Sequence, residues 1–172
     1  MKRYLIPLLL IFLFIFEGLF TQLFPADLFN GDYIFVPRFL IISIFFLAIY
    51  GSVKHGIIYG FLFGLVFDMV YTEVIGIYLF LFPLATYLFI TIMKVIQTNI
   101  VLVSFVSLLS IAFLEGSVYF MNLLIHITDL DFTSFSEIRL VPTLILNLIF
   151  IIIAAYPFKR QFEKFAEELR ND

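Results

Sequence analysis

Three carboxylates stand inside long apolar runs of this chain: Glu17, Asp68 and Glu115. Acids so placed can relay protons, bind a polar solute, or pair with cations that hold helices together. An ionised Asp at the centre of a membrane helix costs about 2.5 to 3.5 kcal/mol on insertion scales, so each acid should face the interior of a bundle. The three lie at similar depth from the inner ends of three outward-running helices, which predicts one polar layer in the outer half of the membrane. Arg38 and Arg139 enter the apolar runs from the outer side and are the cations available to that layer. Two readings follow, a polar binding site or proton relay and a structural network of arginines and acids, and the residues favour the network.

Other chemistry is hard to find. The absence of cysteine removes disulfides, thiolate nucleophiles and thiolate metal sites together. His55 and His126 fall at opposite membrane faces with no second ligand nearby in sequence, so no metal and no cofactor is expected. No Ser-His-Asp arrangement, phosphate-binding glycine loop, zinc spacing or basic nucleic-acid patch is visible. The chain therefore reads as a non-enzyme with no nucleic-acid partner.

Two further patterns concern contact. Gly56, Gly60 and Gly64 recur every fourth residue, and Asp68 continues the row. Such a row is a groove into which another helix backbone can approach, because lipid gives no hydrophobic drive and close packing must hold membrane helices together. It predicts either a seam for a partner helix or packing within the bundle. Near the C-terminus, apolar Phe158, Phe162, Phe165 and Leu169 share the wheel with Lys159, Arg160 and Lys164. That spacing predicts an amphipathic tail over 158–172 lying in the cytoplasmic interface, as a membrane anchor or a contact surface.

The elements that must position these residues are transmembrane helices. Apolar residues make up 63% of the 172 and charged residues only 13%, which leaves too little polar surface to cover a soluble globule. The mean hydropathy is +1.14, and several stretches match the roughly 20 residues needed to cross a hydrocarbon core. The expected fold is an all-α integral membrane protein, one domain over residues 1–172, with spans near 4–24, 36–53, 56–71, 74–93, 100–125 and 140–158. A cleaved signal peptide is the competing reading of the N-terminus. No small-x-small cleavage site follows, so the first span is read as retained. The loops are too short to hold a soluble catalytic domain.

Orientation follows from the basic residues, which are retained on the cytoplasmic side. Lys2, Arg3, Lys54, Lys94, Lys159, Arg160, Lys164 and Arg170 fall on one side of the six-span arrangement, and Arg38 and Arg139 on the other. Both chain ends are thus expected inside. The outer loops carry Asp27, Asp32, Glu73, Asp129, Asp131 and Glu137. The stretch from Lys54 to Lys94 also admits a re-entrant hairpin in place of two spans, which keeps the same parity. Tyr4, Tyr33, Tyr78 and Tyr156 are expected as interfacial anchors.

An internal echo links Phe16-Glu17-Gly18 to Leu114-Glu115-Gly116, and Val36-Pro37-Arg38 to Val141-Pro142-Thr143. Each proline would begin an inward-running helix, where its missing N–H costs no helical bond. Relative to these prolines the two arginines sit four positions apart, on one helical face if the echo is a repeat.

The order of these features resembles the MreD family, the small membrane subunit of the bacterial rod-shape system, in its Gram-positive form. The resemblance runs through Lys2-Arg3, Phe16-Glu17, Val36-Pro37-Arg38-Phe39-Leu40, Lys54-His55-Gly56, Tyr59-Gly60-Phe61-Leu62-Phe63-Gly64-Leu65, Asp68-Met69, Gly76-Ile77-Tyr78, Val141-Pro142-Thr143 and Glu168-Leu169-Arg170. It implies a non-enzymatic subunit that works with MreC, alongside the MreB cytoskeleton, the glycosyltransferase RodA and a penicillin-binding transpeptidase, in lateral peptidoglycan synthesis. It also implies a fold similar to the substrate-binding subunits of energy-coupling-factor vitamin transporters. The leading expectation is a scaffold whose Gly56, Gly60, Gly64 face seats a partner helix. The alternative is a small-solute-binding subunit with Glu17, Asp68 and Glu115 around an outward-facing pocket.

Overall fold

The computed structural model describes residues 4–24, 33–72, 74–96 and 98–171; Lys2, Arg3, Asp27, Asp32 and Glu73 lie outside the described residues. Five helices are long and apolar enough to cross a membrane: α1 (Leu5–Leu23), α3 (Val53–Tyr71), α4 (Ile77–Val95), α5 (Ile100–Leu124) and α6 (Phe132–Arg170). A shorter apolar helix, α2 (Phe39–Gly51), runs among them. No strand occurs among the described residues.

α2 is the hub. Every residue from Phe39 to Ala48 is buried, and the helix touches α1, α3, α4, α5 and α6. A helix that is apolar all round needs this enclosure. At 1.5 Å per residue it spans only about 20 Å, less than the hydrocarbon thickness. Its N-terminal side is completed by residues 33–38, which are not helical. The span expected over 36–53 is therefore shortened at both ends.

Backbone of that kind survives at membrane depth only where protein groups satisfy it. Here α6 supplies them. Pro142 has no N–H for the Ile138 carbonyl four residues earlier, and that carbonyl accepts from the Ile34 N–H at 2.8 Å. The Val36 N–H donates to Thr143 Oγ1 at 3.2 Å, and the Arg38 N–H donates to Asn147 Oδ1 at 2.8 Å. Asn147 Nδ2 donates in turn to the Val36 carbonyl at 2.9 Å.

The outer helices bury narrow stripes. In α1 the buried positions are Ile6, Leu10, Leu13 and Glu17, one face of a 3.6-residue period, and the rest of the helix exposes large apolar side chains. α3 and α4 pack along their length after a tight turn in which Gly76 takes a positive φ of 122°, a conformation a side chain would strain.

α6 begins earlier than the expected 140 and continues well past 158. Asp131 caps its first turn, accepting from the Thr133 N–H at 3.1 Å, the Ser134 N–H at 3.3 Å and the Ser134 hydroxyl at 2.6 Å. A π turn over Ser136–Leu140 leads into Val141–Arg170, which runs as one helix through Pro157. The first residues of α1 and the last turns of α6 share one end of the bundle, where Leu5, Ile6, Gln161, Lys164 and Phe165 line one small cavity.

Candidate functional site: a buried charge cluster

The polar groups collect at the opposite end of the bundle, where residues 33–38 meet α4, α5 and α6. Arg38 is almost fully buried. Its Nε donates to Glu115 Oε1 at 2.6 Å and its Nη2 to the Tyr78 hydroxyl at 2.8 Å. The guanidinium carbon also lies 5.5 Å from the centre of the Phe67 ring. Arg139 reaches the same acid from α6, its Nε donating to Glu115 Oε2 at 3.0 Å. Each oxygen of Glu115 thus takes one guanidinium. The side chains of Arg38 and Glu115 are 2% and 0% exposed while that of Arg139 is 32% exposed, so the second cation sits at the edge of the cluster.

Glu17 and Asp68 act on backbone. Glu17 Oε1 accepts from the Leu40 N–H at 2.7 Å, which satisfies a first-turn donor of α2 from a neighbouring helix. Asp68, near the end of α3, accepts from the N–H groups of Gly76, Tyr78 and Leu79 at 2.8 to 2.9 Å. It caps α4 across the turn, where the helix dipole favours a negative charge. The three acids do not form one shared site. Both arginines go to Glu115, and the echo between Glu17-Gly18 and Glu115-Gly116 joins two residues that do different work.

Tyr78, expected as an interfacial anchor, is 5% exposed and belongs to the cluster through its hydroxyl. Thr143 and Asn147 were not singled out by sequence. Their signal was present as two hydrogen-bonding residues four apart in an apolar stretch, on one helix face.

A cavity of about 300 Å³ opens beside the cluster, lined by Tyr71, Thr72, Tyr78, Asn122 and Arg139 among others. A smaller one of about 90 Å³ shares Asn122 and Arg139. Among the described residues no group of three His, Asp or Glu is placed to hold a metal ion.

The chain matches the family model for the rod shape-determining protein MreD over residues 2–165. It is 35% identical to the rod shape-determining protein MreD of Bacillus subtilis (strain 168), over 172 residues and the full length of both chains. The chain belongs to the MreD family. MreD proteins are membrane proteins of the cell-shape machinery, and the apolar helices here suit multi-pass insertion. No solved structure matches the chain.

Within this MreD family chain, the glycine row packs inside the bundle, one of the two readings its spacing left open, and not against the partner helix of the leading expectation. Gly56, Gly60 and Gly64 are buried against the chain's own helices. A Cβ at Gly64 would meet the Tyr78 carbonyl oxygen and Leu79 Cα of α4, one at Gly60 would lie 3.3 Å from Pro83 Cα, and one at Gly56 would meet Ala48 of α2. The groove is filled intramolecularly, so a second protein's helix has no access to it.

The C-terminal segment also departs from expectation. Phe158, Phe162 and Phe165 are buried, with Phe158 against Phe46 and the Phe165 ring 5.2 Å from that of His55; Leu169 packs at the edge of the same core. The apolar face of this segment is covered by the chain itself. Lys159 lies over the Tyr50 ring, whereas Arg160 and Lys164 are exposed.

Proposed function

We propose that the chain is a non-enzymatic scaffold of the bacterial elongation complex, which helps MreC and the peptidoglycan-synthesis enzymes RodA and a penicillin-binding transpeptidase assemble with the MreB cytoskeleton. Membership of the MreD family supplies the cell-shape role. One observation supports the scaffold reading: the acids and arginines inside the bundle are engaged with one another and with the chain's own backbone. What the chain offers outward is apolar helix surface and short loops, a surface suited to holding other membrane proteins.

Six spans with both ends inside agree with this arrangement. Lys159, Arg160, Lys164 and Arg170 lie on the last turns of α6 beside the start of α1, Lys54 adjoins His55, whose ring meets Phe165 of that segment, and Arg38 and Arg139 at the other end are paired with Glu115. Gentle purification of the tagged chain from its native membrane tests the proposal. Stoichiometric recovery of MreC is expected; recovery of the chain alone, or with an ATPase-coupled transport complex, would overturn it.

A solute-binding role resembling that of a vitamin-transporter subunit is the second reading, and the open cavity beside Arg139 favours it. The wall it offers differs from the acid-lined pocket expected from sequence, because the Asp68 oxygens are taken by N–H groups. A saturable ligand that raises the unfolding midpoint and is weakened by Arg139→Gln would support it.

A further inference from the structure

At the end of the bundle away from the charge cluster, the exposed side of α1 and one face of α6 form an amphipathic recess. Leu5, Leu8, Phe12 and Ile15 of α1 line an apolar groove of about 550 Å³ that is closed at one point by Gln161 of α6. Gln161 also lines a second recess of about 520 Å³, with Tyr156, Pro157, Arg160 and Lys164. Those five residues fall at i, i+1, i+4, i+5 and i+8, a single helical face distinct from the buried Phe158, Phe162 and Phe165 face. Lys159 and Glu163, which approach at 3.8 Å, project from a different side.

We infer that this recess binds an anionic phospholipid of the adjoining leaflet, with its phosphate at Arg160, Gln161 and Lys164 and an acyl chain along Leu5 to Ile15. Charge complementarity supplies the headgroup end: two cations and an amide donor meet at the place where the apolar groove stops. The apolar face of α1 continues past Ile15 through Leu19 and Leu23, and Gln161 joins it to the cations only at its Leu5 end, so the headgroup end is what selects lipid.

The chain contains no tryptophan, so a single introduced indole reports its own lipid contacts. The full-length Phe12→Trp protein is reconstituted into vesicles containing either brominated phosphatidylglycerol or brominated phosphatidylcholine at equal mole fraction, and fluorescence quenching is compared. Phe105→Trp, on the exposed face of α5 at similar depth, is the reference. Stronger quenching by phosphatidylglycerol at Phe12→Trp but not at Phe105→Trp is expected. The preference should fall about fivefold for each cation removed by Arg160→Gln and Lys164→Gln, as roughly 1 kcal/mol per basic side chain near a membrane surface implies. Equal quenching by the two lipids at Phe12→Trp would overturn the inference. So would protection from both lipids, or a preference that survives loss of both cations. The comparison of the two tryptophan positions stands whether or not the charge variants insert.

Discussion

Glu115 is the residue on which the polar end of the bundle depends, since each of its oxygens holds a guanidinium and one of those is fully enclosed. Glu115→Gln keeps the shape but leaves Arg38 a buried cation without its hydrogen-bonded carboxylate. Removing one member of a buried pair costs about 3–5 kcal/mol. The unfolding midpoint in mild detergent should drop accordingly, and an unchanged midpoint would show that the pair carries no such weight. The Arg38–Glu115 contact illustrates how far sequence could go at this scale. Intramembrane Glu, Asp and Arg announce themselves by the cost of exposing them, so their burial was legible. Which acid takes which arginine was not, because that choice is set by the non-helical path of residues 33–38, which tertiary contacts with Thr143 and Asn147 support.

At the scale of elements, the α3–α4 hairpin turns on backbone proximity. Gly64→Ala would push a methyl group into the Tyr78 carbonyl and Leu79 Cα, neither of which can move without displacing α4. A loss of about 1–3 kcal/mol in stability is expected from overpacking of this kind. Gly116→Ala, where no atom lies within 4 Å of the added carbon, should be neutral or raise stability by up to about 1 kcal/mol. Similar midpoints for the two variants would contradict the packing described. The glycine row was legible in sequence as a close-approach face, but spacing alone does not say whose helix approaches.

The first turn of α6 gives a second test at this scale. The Ser134 hydroxyl, helped by the Ser134 and Thr133 N–H groups, holds the exposed Asp131 carboxyl below its ordinary value of 3.8. A depressed carboxylate contributes stability that is present above the ordinary value and is lost as pH falls through the lowered one. Amide exchange at Thr133 and Ser134 should therefore stay slow above about pH 4 and accelerate below it, relative to the pH trend of an uncapped segment. Asp131→Ala should exchange fast at every pH. The helix start at Phe132 was missed in sequence because the Asp-Phe-Thr-Ser cap lies in a stretch that composition marks as loop, before the apolar run begins.

The whole molecule encloses Glu17, Asp68, Glu115 and Arg38 within an apolar core and presents large apolar side chains outward. The all-helical membrane class was readable from apolar runs of bilayer length, since lipid forces backbone hydrogen bonding within each span. The central position of α2 was not readable, because a helix apolar on all sides looks the same in sequence whether lipid or protein surrounds it. If the charges serve the fold and not chemistry, they can be exchanged for apolar side chains of similar volume at little cost in stability. The most direct measurement is cell shape in an MreD-deficient bacterium carrying the triple variant Arg38→Met, Glu115→Leu, Arg139→Leu, with membrane insertion and unfolding midpoint checked in parallel. A purely structural role of the buried charges predicts a folded protein and rod-shaped cells. A variant that inserts and folds normally yet leaves the cells round would show that the buried charges act in function themselves and would contradict it.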